Sequence, residues 1–334
     1  NARAPEEIRV VRRRLADLVR LGHAQGLHGS ILTRQMADVA DAAVENCCQR
    51  ALRDLGLAPV PFAFLAFGSE GRREASLLTD QDNGIIYADP NPEQAVVVAD
   101  YFARFADRVC GELVRAGWPL CNGGLMASNP EWRMTTSQWG ASVKKWSLVG
   151  NRDSLKGINV VADHRCSFGD ESLCGVLREA LHAATQGSQA FYFNLAKAAL
   201  GYRPPLESLG RWSPERGTAT INLKDALTPV VNLARIYALR HGLSLISTPA
   251  RLRALAEQGG LSKHEVPSLV TTFEFMLRLR VQRHLELAES GGALDDQVLL
   301  ASLSELDHAT LRHALELTDR MQNHLRLDFC QMQA

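Results

Sequence analysis

The sequence lacks the features of several common protein classes. No run of apolar residues approaches the length of about eighteen that a transmembrane helix needs, so we expect no membrane span. The seven cysteines form no Cys-x-x-Cys pair. Their odd number fits reduced thiols in the cytoplasm better than a disulfide framework. Lys plus Arg number 37 and Asp plus Glu number 37. No overall field therefore draws the protein onto nucleic acid or an anionic membrane.

Missing motifs argue against two classes of enzyme. The chain has no GxxxxGK[ST] pattern, which argues against a P-loop ATPase. Its ten histidines include no HExxH motif and no His-Asp dipeptide, so zinc hydrolase chemistry is unsupported. What remains is an ordinary globular composition, 46% hydrophobic and 22% charged. A chain of 334 residues is long for one domain, and we expect two or three.

Hydrophobic periodicity divides the chain into three parts. Residues 1–56 have helical spacing, with Ile8, Val11, Leu15 and Leu18 on one predicted face. Residues 57–185 alternate between strand and helix patterns, whereas 186–334 contain amphipathic helices and no convincing strand. We therefore predict an α+β domain followed by an all-α helical bundle. The opening NARAPEE has no start methionine, which suggests a fragment of a longer protein.

The stretch FLAFGSEGRREASLLTDQDNGIIY, residues 64–87, carries the clearest chemical signal. Two short apolar runs predict buried strands, and Asp80 and Asp82 open the second of them. Because the two aspartates are two residues apart on a strand, they lie on the same face, and Gln81 and Asn83 brace the other. Two neighbouring carboxylates repel each other unless a cation lies between them. Their hard oxygen ligands suit Mg²⁺.

Gly68 and Ser69 follow the first strand and precede a predicted helix that starts near Glu70. Free backbone N–H groups at this position favour a phosphate, and glycine allows a close approach. A third carboxylate would complete a two-metal site. The segment GINVVADHR predicts another strand, and it ends in Asp163. The alternatives are local caps: a turn at the two aspartates, an N-cap at Ser69 and a strand-end cap at Asp163.

These motifs together resemble a known superfamily. Gly-Ser, a gap of ten residues, Asp-x-Asp on a strand and a distant strand Asp are similar to the nucleotidyltransferases related to DNA polymerase β. The longer string GSEGRREASLLTDQDN resembles the nucleotidyltransferases of bacterial signal transduction, relatives of the uridylyltransferase that modifies the nitrogen-regulatory protein PII. Further similar segments are GGLMASNPEWR, ADHRCSFGD, and NLARIYALRHG with STPARL. At the third carboxylate the family usually reads Asp-Phe-Arg, where this chain has Asp-His-Arg.

The resemblance implies a domain order and a set of roles. It implies a helical linker at 1–56, a polymerase β-like nucleotidyltransferase domain at 57–185 and a helical substrate-binding domain at 186–334. Upstream CBS or cyclic-nucleotide-binding domains would be absent from this fragment. Nucleotide phosphates would be bound by Gly68, Ser69 and Arg72. Asp80, Asp82 and Asp163 would be the catalytic residues and would hold two Mg²⁺ ions, or Mn²⁺ in their place.

The implied reaction transfers a nucleoside monophosphate from an NTP to a hydroxyl of a protein or small molecule. The balanced charge of the chain argues against a nucleic acid as the acceptor, and we expect no membrane partner. Asp163 would also help to deprotonate the acceptor. Arg72 has an open alternative, a structural role, and we expect Glu70 and Glu74 to balance Arg72 and Arg73. Arg235, Arg240 and His241 are candidates for substrate contact. The rival interpretation is a non-catalytic nucleotide sensor, which would tolerate the loss of Asp163.

Overall fold

The computed structural model describes residues 4–207 and 219–331. Two long helices open the chain: α1 (Pro5–Ala24) and α2 (Gly29–Leu55). The predicted apolar face of α1 is only partly right. Ile8, Leu15 and Val19 are buried, whereas Val11 and Leu18 are exposed. The buried stripe follows the neighbours against which α1 packs, α2 and a later helix, α4 (Ala95–Ala116).

A four-stranded sheet forms the centre of the α+β domain. It consists of β1 (Phe62–Ala66), β2 (Asn83–Tyr87), β3 (Arg133–Thr135) and β4 (Arg165–Gly169), in the order β3-β2-β1-β4. Strand β1 pairs antiparallel with both β2 and β4, and β2 pairs parallel with β3. Every residue of β1 and β2 is buried, which the continuous apolar runs of the sequence predicted.

Alternate side chains of the sheet belong to two separate cores. On one face, Phe62 packs against Phe102 and Phe105 of α4, with ring centroids 5.3 and 5.1 Å apart. On the other face, Phe67 lies 6.2 Å from Trp139 of α5 (Thr136–Val149), and the Trp139 indole donates to the backbone oxygen of Ile85 at 3.0 Å. Helix α7 (Glu171–Thr185) covers the same face. The sheet is thus held rigidly from both sides.

The predicted strand GINVVADHR is wrong. Its first six residues belong to α6 (Arg152–Ala162), Asp163 is the residue that ends this helix, and strand β4 starts only at Arg165. Helix α6 begins at an Asn151 side chain that accepts a hydrogen bond from the Ser154 amide at 2.8 Å. Its buried apolar residues follow helical spacing: Leu155, Ile158 and Val161. A short apolar run fits a buried helix as well as a strand, and here the helix forms.

The C-terminal part is the predicted helical bundle. It contains α8 (Gln189–Ala199), α9 (Leu223–Arg240), α10 (Thr248–Glu257), α11 (Val266–Glu289) and α12 (Glu305–Cys330). Two short strands, β5 (Thr220–Asn222) and β6 (Gln297–Leu299), pair antiparallel. These strands were not expected from the sequence, because three residues are too few to show a strand period. None of the helices in the described ranges combines the length and apolar character that crossing a membrane requires.

Direct contacts join the bundle to the rest of the protein. The backbone amide and hydroxyl of Ser30 in α2 both donate to the Glu274 carboxylate of α11, at 2.7 and 2.6 Å. The Thr248 amide at the start of α10 donates to Glu74, in the loop between β1 and β2, at 2.6 Å. Each of these carboxylates accepts a backbone N–H near the beginning of a helix. The bundle is therefore held against the first two helices and against the loop that follows the C-terminal end of β1.

The backbone is tightly packed around Gly71, just after the end of β1. This glycine ends the short helix α3 (Gly68–Gly71), and a Cβ there would lie 1.9 Å from the backbone oxygen of Asp163 and 2.9 Å from that of Ala66. We expect Gly71→Ala to lower the free energy of unfolding by about 1–3 kcal/mol or more, measured by urea denaturation.

The matched control is Gly111→Ala in α4, where an added Cβ meets no atom within 4 Å. Alanine is the better helix former, so this change should stabilise the protein by about 0.5–1 kcal/mol. Equal stability of Gly71→Ala and the wild type would mean that Asp163 does not lie against this backbone.

Candidate active site

The Gly-Ser motif lies at the end of β1. Phe67 leads into α3, and Gly68 has a φ of +56°, in the left-handed region that favours glycine. A Cβ at this position would be 2.8 Å from the Asp82 oxygen Oδ2. Glycine is therefore required both by the backbone conformation and by the close approach of the carboxylate. Ser69 comes next in the chain, and it lines a cleft together with Gly68, Asp80 and Asp82.

The Asp-x-Asp segment runs beside this turn and leads into β2. Its backbone is fixed because the Phe67 amide donates to the Asp82 backbone oxygen at 2.9 Å. The Gln81 side chain donates to two backbone oxygens, those of Cys110 at 3.2 Å and Trp118 at 2.9 Å. The Asn83 side chain accepts from the Ala127 amide at 2.8 Å. The prediction that these two residues brace the loop is confirmed, and Asp80 and Asp82 both line the cleft.

Asp80 and Asp82 form a compact group with Cys121. One oxygen of each carboxylate and the Cys121 sulfur all lie within 4.8 Å of one another. Burial, and then the charge of Asp80, raise the pKa of Asp82 to about 6, while a hydrogen bond from the Cys121 thiol opposes the rise. Two repelling carboxylates fit a hard divalent cation such as Mg²⁺, whereas a thiolate is a soft ligand that suits other metals. Nothing in the sequence pattern marked Cys121.

Asp163 forms ion pairs with three arginines and does not belong to the group of Asp80, Asp82 and Cys121. Its Oδ2 accepts from Arg72 Nη1 at 2.7 Å and Arg235 Nη2 at 2.6 Å, and its Oδ1 accepts from Arg251 Nη1 at 2.6 Å. Burial would raise the pKa of Asp163, but the charges of Arg235, Arg251 and Arg72 hold it well below its ordinary value. We call these four residues the Asp163 cluster. The contacts give no support to the predicted roles of Asp163 as metal ligand and base.

Arg72 joins the motif loop to this cluster. Its Nε donates to Glu74 at 2.7 Å while its Nη1 binds Asp163, so its observed contacts are structural. It also lines the cleft beside Ser69, which leaves the predicted phosphate contact geometrically open. The expected balance of charges holds for Glu74. It does not hold for Glu70, because Arg73 pairs with Asp38 instead.

Two cavities meet at Asp82. The smaller one, of about 300 Å³, is lined by Ser69, Arg72 and Asp80. The larger one, of about 810 Å³, extends towards α6 and α8. Five residues border both: Gly68, Asp82, Thr228, Asn232 and Arg235.

One face of α9 supplies the walls that the motifs did not identify. Lys224, Thr228 and Asn232 recur every four residues, and each points to the cleft. This polar spacing is the signal that could have found them. Arg235 continues the face, as expected for a substrate-contacting candidate. Arg240 and His241 do not line either cavity, and the guanidinium of Arg240 lies 5.6 Å from the Tyr192 ring centroid.

Breaking the Asp163 cluster should destabilise the fold. Asp163→Asn leaves three nearly buried arginines without their shared carboxylate, and we expect a loss of about 3–5 kcal/mol in the free energy of unfolding. The control is Asp17→Asn, which removes an exposed pair with Arg20 and should cost less than about 1 kcal/mol. The stability is measured by thermal and urea unfolding. Unchanged stability of Asp163→Asn would contradict a structural role and would favour the predicted role of Asp163 as metal ligand and base.

Glu70 gives the stability a pH dependence. It is buried behind the motif, and its Oε1 has no hydrogen-bond partner within the described ranges. Burial, then the charges of Asp82 and Asp41, raise the pKa of Glu70 to about 8, against the opposing effects of Arg12 and Arg165. Because the folded state favours the protonated form, this contribution to stability is complete below the ordinary pKa and is lost as pH rises towards 8.

Glu70→Gln, a neutral isostere, should therefore gain stability over the wild type as pH rises, by up to about 1.4 kcal/mol per pH unit. Unfolding at a series of pH values from about 5 to 8 measures the difference. The exposed Glu93→Gln serves as control and should follow the wild type throughout. Parallel curves for Glu70→Gln and the wild type would show that Glu70 is ionised throughout this range.

Two family models match most of the chain. Residues 13–153 match the family described as "Putative nucleotidyltransferase DUF294". Residues 189–329 match the one described as "Putative nucleotidyltransferase substrate binding domain". No curated protein matches the chain. The two matched segments contain the Gly-Ser and Asp-x-Asp motifs and the α9 face, respectively. The chain therefore belongs to this nucleotidyltransferase family, with its helical substrate-binding domain at the C-terminal end.

Proposed function

We propose that the protein is a Mg²⁺-dependent nucleotidyltransferase that transfers a nucleoside monophosphate from an NTP to an acceptor hydroxyl and releases pyrophosphate. One observation carries the proposal: Asp80 and Asp82 are held together against the left-handed turn at Gly68, where two cavities meet. The resemblance adds a place in bacterial signal transduction, and the odd number of cysteines favours a cytoplasmic location; we include both in the proposal.

Asp80 and Asp82 would hold the metal. A bound divalent cation neutralises phosphate charge and polarises the reacting phosphoryl group. The protein itself contributes a fixed backbone and a partly buried site, in which the two carboxylates do not need to reorganise. Cys121 stays outside this role, because its thiol donates to Asp82 and its sulfur is a poor ligand for Mg²⁺.

The smaller cavity would bind the pyrophosphate part of the nucleotide. Backbone N–H groups at Gly68 and the Ser69 hydroxyl can donate to phosphate oxygens. Lys224 adds a positive charge from α9, and it is exposed and has no ion-pair partner within the described residues. Arg280 lies on the same wall, where Asp296 fixes it through two hydrogen bonds of 2.6 and 3.0 Å.

Asp163 would act in this enzyme as a positioning residue. It holds Arg72 beside the phosphate site and Arg235 at the junction of the two cavities. Its two oxygens are already engaged by guanidinium groups, so a proton from the acceptor would pass to water in the cleft. Most of the rate enhancement would then come from placement of the reactants and from charge neutralisation.

The rival function is a nucleotide sensor without catalysis. It is favoured by one observation: within the described residues, the metal group contains two carboxylates and a thiol, and no third carboxylate. A sensor needs only to bind the nucleotide and its metal. Release of pyrophosphate from a bound NTP in the presence of an acceptor would therefore decide between the two functions.

The donor and the metal requirement can be tested together by thermal unfolding with ATP, UTP, CTP and GTP, each with and without Mg²⁺. One NTP with Mg²⁺ at about a hundred times its Kd should stabilise the protein by about 2.7 kcal/mol. The shift should disappear in Asp80→Ala/Asp82→Ala, because the metal ligands are lost. Cys121→Ser, which changes the neighbouring side chain, should retain it.

A shift that needs neither Mg²⁺ nor the aspartates would contradict the proposed site. A metal-dependent shift without any nucleotidyl transfer or pyrophosphate release would support the sensor instead. Loss of the shift in Cys121→Ser would make the thiol part of the metal site.

A further inference from the structure

The larger cavity is not used by the phosphate site described above. It lies between α6, α8 and α9 and opens at one end to Gly68 and Asp82. Its volume of about 810 Å³ falls within the usual range of roughly 300–1,000 Å³ for small-molecule pockets. Its lining includes the apolar side chains of Leu155, Leu195 and Ile236. A cavity of this kind has room for a second substrate.

Three cationic side chains line this cavity without ion-pair partners in the described part of the chain. Arg152 and Lys156 are four residues apart on one face of α6, and Lys197 comes from α8. Apart from Asp82, the carboxylates of the lining are Asp153 and Asp163, and the second of these is neutralised by its arginines. The excess of positive charge favours an anionic occupant.

One of the three cationic side chains, Lys156, lies close to the loop beside Asp82. The Lys156 Nζ lies 3.5 Å from the place where a Cβ on Gly123 would be, in the loop that carries Cys121 beside Asp82. Three amide side chains also line the cavity: Asn159, Asn194 and Asn232. Because an amide both donates and accepts hydrogen bonds, these residues suit a hydroxylated compound. The cavity therefore combines anion-binding and hydroxyl-binding groups.

The geometry of phosphoryl transfer relates the two cavities to each other, and this step rests on the proposed function. In an in-line displacement, the attacking and leaving oxygens lie on opposite sides of the phosphorus. If pyrophosphate leaves into the smaller cavity, beside Ser69 and Lys224, the acceptor approaches from the other side of Asp82. The larger cavity shares Asp82 with the smaller one and extends towards α6 and α8.

We propose that the larger cavity binds the acceptor, and that the acceptor is a small organic anion with at least one free hydroxyl. Its phosphate or carboxylate would be held by Arg152, Lys156 and Lys197. The hydroxyl oxygen forms a bond to the α-phosphorus, and the bond from that phosphorus to the bridging oxygen of pyrophosphate breaks. Pyrophosphate leaves with the electron pair, and the hydroxyl proton passes to water.

The test uses glycerol 3-phosphate as the anionic probe and glycerol as its neutral match. Binding to the full chain is measured by saturation-transfer NMR without NTP, and variants of the cavity lining assign the binding site. Glycerol 3-phosphate should bind, and glycerol should bind at least tenfold more weakly. Lys156→Ala/Lys197→Ala should weaken binding of the phosphate at least tenfold. Lys145→Ala, an exposed lysine of α5 outside both cavities, should have no effect.

Three results would overturn the proposal: no binding of glycerol 3-phosphate, equal binding of glycerol, or binding that persists in Lys156→Ala/Lys197→Ala. The first is the result that a protein acceptor predicts. Circular dichroism and the melting temperature show whether the double variant is folded, and its exposed side chains make large structural effects unexpected. Because the assay contains no NTP, its result is independent of the thermal-shift test of the proposed function.

Discussion

The Asp163 cluster is the constraint on which the arrangement of the cleft depends. Asp163 itself lies between α6 and β4, and its partners come from the motif loop, α9 and α10. A buried carboxylate without its cations would be strongly unfavourable, and so would the buried arginines without the carboxylate. The bundle can therefore pack on the sheet only where all of these charges meet. Such a cluster adds little net stability over an apolar core, but it restricts the alternatives.

The shape of the site follows from that restriction. Asp163 holds Arg235, and Arg235 also contacts Asn232 at 2.7 Å and Asn159 at 3.2 Å. These contacts fix the rotation of α9 about its axis. The same rotation turns the Lys224 and Thr228 face towards the aspartates. Asp163, which lies outside the group of Asp80, Asp82 and Cys121, thus fixes which side chains of the helical domain face the two aspartates.

Much of this could be predicted from the sequence where the signal is local. Strands β1 and β2 follow from apolar runs, and Gly68 and the two aspartates follow from a motif within about twenty residues. The helix in place of the strand before Asp163 was missed, because a short apolar run has no decisive period. The partners of Asp163 could not be found, since Arg72, Arg235 and Arg251 are far apart in sequence. Cys121 reaches the aspartates through a loop that no pattern marks.

Negative and positive side chains are equal in number over the whole chain, but they lie at different places in the two cavities. The formal net charge is zero. Asp80 and Asp82 nevertheless concentrate negative charge at one position, and Lys156 and Lys197 add positive charge to the lining of the adjoining cavity. In a partly desolvated cleft such local fields are stronger than the same charges in water. A cation is favoured at the first position and an anion at the second. A substrate with a phosphate at one end and a hydroxyl at the other would therefore enter in one orientation, with its hydroxyl towards the aspartates. The charge pattern itself would then select the atom that reacts.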